Sequence, residues 1–322
     1  MTHALLRSSL LLAALFSCAS ATAELLYVSL PTSVNAVVTY DLAQADATAI
    51  LNSQQTFISG ALITAPQGLV FDREGHLYVA NQGNNTIGKF DASGTLLATI
   101  GSPATLNDPM GLAMDAAGTL VAANFGSQGP AASSVSRFDA AGNFLGSITN
   151  QINRPLGVTV DGAGHLFVGN WFLNTVSEFD AGGAFLATIG SSSEITNPGG
   201  LLTGAAGELY VASEGGSVVS VFDASGAYQS TIGSGAGLVS PAGLARDRLG
   251  NLYVTSGTDS SNAFISKFNA AGVFQFAWRI PNVSGFLATE PAAVPEIDAN
   301  AFGTALSCLA GGLALIERKR RS

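Results

Sequence analysis

The chain contains a Pro-x-Gly tripeptide that recurs at almost constant spacing, and this periodicity constrains the fold more than any other feature. Five copies begin at Pro66, Pro109, Pro155, Pro198 and Pro241. Successive copies lie 43, 46, 43 and 43 residues apart, and Pro281 follows the fifth copy after 40 residues. A repeat of this length is one small structural unit that buries its apolar face against its neighbours.

Each repeat contains four short apolar segments that are typical of β-strands. In the first copy these are 68–71, 76–81, a segment ending at Phe90 and a segment ending at Ile100. The third segment ends in Phe-Asp or Phe-Asn in every full repeat, and the fourth ends in Ile-Gly in three of them. Four strands in about 43 residues predict one blade of a β-propeller.

The turns between these strands follow an Asp-x-x-Gly pattern. The Asp carboxylate accepts a backbone N–H two residues on, and Gly adopts the left-handed conformation without steric cost. Of ten such turns in the five full repeats, nine begin with Asp or Asn and all ten keep Gly fourth. The exception is Gly204-Ala205-Ala206-Gly207. The pattern predicts two hairpins in each blade, one joining the first and second strands and one joining the third and fourth.

The two ends of the repeat region together supply a sixth blade. Residues 25–29 match the second strand, 36–41 the third and 54–59 the fourth, while 285–288 can supply the missing first strand. Pairing first and last segments closes the ring and removes free sheet edges. The sequence therefore predicts an all-β, six-bladed β-propeller over residues 24–289, with no helix in this body.

The repeat resembles the NHL-repeat family. The resemblance is carried by Pro66-Gln67-Gly68-Leu69, by Asp72-Arg73-Glu74-Gly75 and by His76-Leu77-Tyr78-Val79-Ala80-Asn81, and it covers nearly all of residues 24–289. It implies a six-bladed propeller that is often used for binding and sometimes for catalysis. It implies no particular activity, because function depends on the site rather than the fold.

Charge and cysteine content exclude several classes of function. Between Glu24 and Thr289 there are 8 Lys or Arg against 18 Asp or Glu, so this region carries 8 − 18 = −10. An acidic body without clustered cations disfavours a nucleic-acid partner. The two cysteines, Cys18 and Cys308, lie outside the repeats, so the body has neither disulfides nor Cys-ligated metals.

The N-terminal segment has the three parts of a secretory signal. Arg7 precedes the apolar run 10–16, and Ala21-Thr22-Ala23 forms a small-residue cleavage site. We therefore interpret 1–23 as a signal peptide. An alternative is a lipoprotein signal with Cys18 acylated, which Phe16 fits poorly.

The C-terminal segment predicts a membrane anchor. After the linker and motif region 290–298, residues 299–316 form an uncharged and largely apolar stretch, and the basic tip 317–322 follows. Such a stretch is long enough to cross the bilayer, and the positive-inside rule keeps the tip cytoplasmic. The body is therefore expected to be exported, at the cell surface or outside the cell, and at least transiently anchored in the inner membrane.

Directly before this stretch stands Val294-Pro295-Glu296-Ile297-Asp298. Motif, apolar helix and basic tip in this order resemble the sorting signals read by exosortases, in the VPEID variant of the PEP-CTERM group. The resemblance implies a membrane protease that cuts near the motif and releases or re-anchors the protein.

Candidate ligand-binding residues lie where the second strands end. Connections between the second and third strands and between successive blades share one face and vary most, so we expect function there. The end of each second strand carries a small polar residue, which either contacts ligand or caps backbone groups, and whose amides could ligate Ca²⁺. Trp171 and Phe172 form either a platform for a sugar ring or a packing contact. The candidates are Asn81, Asn124, Asn170, Trp171, Phe172, Ser213 and Ser256.

No catalytic cluster is evident in the sequence. His76 and His165 occupy the same repeat position, and a zinc site needs three or four converging ligands. No catalytic, metal or cofactor residues are therefore predicted. The leading hypothesis is a surface binding module, with an extracellular polysaccharide or surface protein as partner. The alternative is a metal-dependent enzyme of the lactonase or lyase kind.

Overall fold

Six four-stranded antiparallel sheets make up the body of the chain. The computed structural model describes residues 24–31, 35–127, 129, 132–257, 263–280 and 285–290. Blades I to VI are numbered by the order of their second strands, and the strands are numbered along the chain. The blades, innermost strand first, are as follows: blade I, β24 (Leu287–Thr289), β1 (Leu25–Leu30), β2 (Ala36–Asp41), β3 (Gln55–Ser59); blade II, β4 (Pro66–Phe71), β5 (Leu77–Asn81), β6 (Thr86–Phe90), β7 (Leu96–Ile100); blade III, β8 (Pro109–Met114), β9 (Leu120–Asn124), β10 (Ser134–Phe138), β11 (Phe144–Ile148); blade IV, β12 (Pro155–Val160), β13 (Leu166–Asn170), β14 (Thr175–Phe179), β15 (Phe185–Ile189); blade V, β16 (Pro198–Thr203), β17 (Leu209–Ser213), β18 (Val218–Phe222), β19 (Tyr228–Ile232); blade VI, β20 (Leu244–Arg246), β21 (Leu252–Ser256), β22 (Phe264–Phe268), β23 (Phe274–Arg279).

Blade I joins the two ends of the repeat region and closes the ring. β24 pairs antiparallel with β1, with Val28 opposite Leu287 and Leu26 opposite Thr289. The Phe286 N–H donates to Ser29 Oγ at 2.9 Å, which fixes this register. The predicted six-bladed propeller, closed by N- and C-terminal strands, is confirmed.

A ring of five glycines explains the Pro-x-Gly repeat. A Cβ added to any of them would collide with backbone at the inner strand of the next blade; on Gly111 it would lie 2.5 Å from Leu156 O. The backbones approach so closely that the Gly200 N–H donates to Ala242 O across the blade boundary at 2.5 Å. Only glycine allows this contact. The glycine ring comprises Gly68, Gly111, Gly157, Gly200 and Gly243.

The sixth repeat keeps a glycine while the proline is displaced. Gly285 lies 42 residues after Gly243, and Val283, rather than a proline, stands two residues before it. The missing Cβ of Gly285 makes room for Ser29 O on β1 of the same blade. Gly285 also supplies the carbonyl oxygen that faces Gly243 of blade VI. In blade I the glycine therefore serves the pairing of the two chain ends.

The Asp-x-x-Gly turns form as predicted. Asp72 Oδ1 accepts from Glu74 N at 3.0 Å and from His76 N at 2.8 Å, and Gly75 has a φ of +83°. In the exceptional turn that begins at Gly204, Glu208 Oε2 accepts from Ala206 N at 3.1 Å. A carboxylate from the residue directly before β17 thus replaces the missing Asp in part.

The core lies between the blades. The Phe of each third-strand Phe-Asp or Phe-Asn pair is 0–1% exposed, and four of these rings contact an aromatic ring of the outermost strand in their own blade. Aromatic rings of this size contribute much of the apolar area that a blade buries. The five rings are Phe90, Phe138, Phe179, Phe222 and Phe268.

One expectation about the body is wrong, because a short helix interrupts blade I. Helix α1 (Ala47–Asn52) lies between β2 and β3, and Asp46 Oδ1 caps it by accepting from Ala49 N at 2.9 Å. Its buried Ile50 belongs to the same apolar cluster as Trp278 of blade VI. The helix thus adds apolar contact where the ring closes. Short 3₁₀ turns occur at Gly60–Leu62 and Gln82–Asn84.

Within the described ranges, no helix has the length and apolar character needed to cross a bilayer. The predicted signal peptide 1–23, sorting motif 294–298, membrane segment 299–316 and tip 317–322 lie outside these ranges.

The glycine ring predicts that adding a side chain at one of its positions lowers stability, whereas adding one at a glycine outside the ring does not. Gly157→Ala would force a methyl group against Gly199 O and against Leu201 N, 3.0 Å from the added carbon. Such overpacking should lower the free energy of unfolding by about 1–3 kcal/mol. Gly162→Ala is the matched control, since a Cβ there meets nothing within 4 Å. Thermal denaturation should show a lower midpoint for the first variant and an unchanged midpoint for the second; equal midpoints would contradict the role given to the ring.

Candidate functional site

The propeller has two faces of different character. Turns between strands one and two and between strands three and four lie on one face, which we call the turn face. Connections between strands two and three, and between successive blades, lie on the other, which we call the loop face. This assignment follows from the antiparallel strand order of each sheet.

The polar residues predicted at the ends of the second strands are buried on the loop face, with exposures of 0–3%. Asn170 Oδ1 accepts from Asn153 N at 2.9 Å, and Asn124 Oδ1 accepts from Asn107 N at 3.2 Å. Asn81 and Ser213 make the same contact with a backbone N–H that lies 17 residues upstream. Ser256 is likewise buried. These contacts favour the capping alternative, because each side chain holds the loop that leads into its own blade.

The residue directly after each polar cap occupies a different environment; the sequence analysis named Trp171 at this position but missed Phe125 and Glu214. Phe125 and Trp171, on blades III and IV, have ring centroids 6.4 Å apart. Trp171 Nε1 donates to Glu214 Oε2 of blade V at 3.0 Å. This position holds a different residue type in each of blades II to V, beginning with Gln82. Variation beside an almost constant cap was the signal that could have identified it.

An arginine completes this group on the loop face. The guanidinium carbon of Arg154 lies 4.9 Å from the Phe125 ring centroid and 5.1 Å from that of Phe172. Phe172 is 53% exposed, and its ring meets that of Trp171 edge-on at 4.8 Å. Cation–π contacts of this kind hold the guanidinium in place. We call Phe125, Arg154, Trp171, Phe172 and Glu214 the aromatic arc.

The arc answers the question left open for Trp171 and Phe172. Trp171 is half-buried and packs between blades through its bond to Glu214. Phe172 and its neighbour Leu173 are 53% and 50% exposed. Trp171 therefore supports the surface, and Phe172 presents an open ring to solvent.

The aromatic arc contains one carboxyl group, that of Glu214, and its pKa is shifted by its surroundings. Burial raises the pKa of Glu214 above its ordinary value, and the hydrogen bond from Trp171 opposes that shift in part. A buried carboxyl favours its neutral form because its ionised form loses hydration.

The central channel is a second concave feature. The inner strands of all six blades enclose about 280 Å³, and most of the residues that line this space have apolar side chains. Among the described residues that line it, Arg246 is the one charged side chain, and its Nη2 donates to Tyr210 OH at 2.7 Å.

The turn face carries a groove of about 440 Å³ between blades II and III. Near it, the ligand atoms of Asp72, Glu74 and His76 lie within 4.8 Å of one another. Asp72 Oδ2 is already bonded to His76 Nδ1 at 2.8 Å and paired with Lys89 Nζ at 3.2 Å. Asp72 is thus already engaged by a histidine and an ammonium group, and the trio fits an ion pair better than a metal centre.

Comparison with known proteins defines the fold and leaves the family open. No protein-family model matches the chain, and no curated protein matches it. The structure of a nidogen/laminin complex aligns with a TM-score of 0.66 and 16% identity, covering 84% of this chain and 99% of that chain. A protein of unknown function from Bacteroides caccae aligns with a TM-score of 0.66 and 14% identity, covering 84% and 100%.

A streptogramin B lyase also aligns, with a TM-score of 0.56, 16% identity, and coverage of 70% of this chain and 72% of that chain. At these identities the similarity establishes a shared propeller fold. The name of one such structure records a complex between proteins and that of another a lyase, so the fold itself does not choose between binding and catalysis.

The capping contacts predict that Asn170 acts on stability. Asn170→Ala leaves Asn153 N and Ser177 Oγ without the partners they have at 2.9 and 2.8 Å. Losing buried hydrogen bonds should lower the free energy of unfolding by about 1–3 kcal/mol. Asn170→Ser should lose less, because Ser213 makes the equivalent cap at 2.8 Å in blade V. Urea denaturation of both variants tests this; an unchanged Asn170→Ala variant would contradict it.

The shifted carboxyl predicts a pH response of the neighbouring indole. Since the folded state binds the Glu214 proton more tightly than the unfolded state, the free energy of unfolding falls as pH rises from the ordinary value of 4.5 to the raised pKa. Trp171 fluorescence should change across the same range. The chain has two tryptophans, so the measurement is made in a Trp278→Phe background. Adding Glu214→Gln should abolish the transition; a transition that persists would assign it to another group.

Proposed function

We propose that this chain is an exported binding propeller that holds an extracellular polysaccharide on the aromatic arc of its loop face. The observation that carries this proposal is the exposure of Phe172 beside a guanidinium held between two rings. An open aromatic ring stacks on the apolar face of a sugar, and nearby polar groups fix its orientation. The arc extends over blades III to V, which suits an extended chain.

Export is supported by the sequence at both ends. Arg7, the apolar run 10–16 and Ala21-Thr22-Ala23 have the order of a secretory signal. Val294-Pro295-Glu296-Ile297-Asp298, the apolar stretch 299–316 and the basic tip support processing by an exosortase-type protease and membrane anchoring before that step. A polymer outside the cell is the ligand that such a location makes available.

A metal-dependent lactonase or lyase is the competing function. The closeness of Asp72, Glu74 and His76 favours it, since these three side chains are suitable metal ligands. Against it stand the ion pair of Asp72 with Lys89 and the 78% exposure of the Glu74 side chain.

The binding proposal predicts that Phe172→Ala weakens retention of the chain on immobilised polysaccharide by roughly tenfold, because a stacking surface is lost. A panel of neutral and acidic polysaccharides in a pull-down assay provides the measurement. Phe185→Ala is the matched control, since Phe185 is also exposed, at 37%, but lies on the outer strand of blade IV.

Two results would overturn the proposal. One is retention of the chain on no polysaccharide above background. The other is stoichiometric Ca²⁺ or Zn²⁺ in the purified chain by elemental analysis, removed in Asp72→Ala and His76→Ala variants or in the Asn81, Asn124 and Asn170 alanine variants. That result would favour the enzyme.

A further inference from the structure

Arg154 has no ionic partner among the described residues. The ion pairs found there involve Lys89, His76 and His165, and Arg154 takes part in none of them. Its guanidinium donates no hydrogen bond within the same residues, and its Nε is buried without a partner.

Two other arginines of the body, Arg137 and Arg246, have side-chain acceptors. Arg137 donates from Nη1 to Gly182 O at 3.0 Å and from Nη2 to Ala181 O at 2.8 Å. Arg246 donates to Tyr210 OH at 2.7 Å. Arg154 differs from these two in that its Nη groups donate to no acceptor among the described residues.

The packing of Arg154 determines which of its groups a ligand can reach. Phe125 and Phe172 lie 4.9 and 5.1 Å from the guanidinium carbon, and Nε is buried. Of the guanidinium nitrogens, the two Nη groups are therefore the ones that remain available to a ligand. Two parallel N–H donors match the two oxygens of a carboxylate.

We propose that the ligand of the aromatic arc is an acidic polysaccharide, in which the carboxylate of a uronic acid binds the Nη groups of Arg154 while its ring stacks on Phe172. This inference rests on the proposed function and specifies the chemical class of the polymer.

A sugar ring fits the arc better than an acidic peptide does. The exposed ring of Phe172 needs a flat apolar partner, which a pyranose supplies and an Asp or Glu side chain does not. Further along the arc, Glu214 Oε2 accepts from Trp171, and its second oxygen accepts no hydrogen bond from the described residues. A carboxyl oxygen of this kind is an acceptor for a sugar hydroxyl.

The net charge of −9 opposes a polyanion at long range. At physiological ionic strength the Debye length is about 8 Å, so repulsion from distant carboxylates is largely screened. Recognition therefore depends on the local contacts of the arc, and binding is measured at physiological ionic strength.

The test measures binding of the full chain to polygalacturonate and to the same polymer after full methyl esterification. Esterification removes the charge and keeps the sugar ring, so the acid form should bind and the ester should bind roughly tenfold more weakly. Arg154→Gln should lower affinity for the acid form to that of the ester. Arg154→Lys should recover only part of it, because lysine keeps the charge and loses the paired donors.

Arg279→Gln is the matched control. Arg279 also lies over an aromatic ring, at 5.5 Å from the centroid of Phe264, but on the outer strand of blade VI. This variant should bind the acid form as the unchanged chain does. Thermal midpoints of all variants establish that they are folded.

The possible outcomes separate the two proposals. Equal binding of acid and ester, lost in Phe172→Ala, overturns the acidic ligand and leaves the polysaccharide function standing. No binding of any polysaccharide overturns both. Binding of polyglutamate as tightly as polygalacturonate, lost in Arg154→Gln, would show that a protein carboxylate is the ligand and would overturn the sugar.

Discussion

The close approach of inner-strand backbones around the axis is the constraint on which the rest of this structure depends. From blade II round to blade I, each blade touches the next where a glycine faces a carbonyl oxygen, and a side chain at any of these five positions would separate the blades. Because this contact is made by backbone atoms, it does not depend on which side chains occupy the other positions of the repeat. The loops can therefore diverge while the ring stays closed.

The fold could be predicted from sequence because its determinants are local. Asp72 and Gly75 specify a turn within four residues, and Gly68 marks the inner strand at a fixed distance before them. Closure was also predictable, since Leu287 supplies the strand that Leu26 and Val28 lack. Helix α1 was missed because its six residues lack a long apolar period, and its stability comes from Asp46 and from contact with blade VI.

The site could be predicted only in part, for a geometric reason. Trp171 and Phe172 stood out as large aromatic residues in a loop, but the partners of Trp171 lie one repeat away in sequence. The contact of Trp171 with Glu214 spans 43 residues, and that of Trp171 with Phe125 spans 46. A single sequence shows which positions repeat, but not which side chains of neighbouring blades meet.

The division between cap and arc lets side chains on the loop face vary without disturbing the fold. Asn124, Asn170 and Ser213 use buried hydrogen bonds to hold successive loops in equivalent positions. The next residue in each loop is thereby placed at the same height on the face, whatever its chemistry. Phe125, Trp171 and Glu214 can then form one continuous surface from three separate blades, and these side chains can change without any change in the caps beneath them.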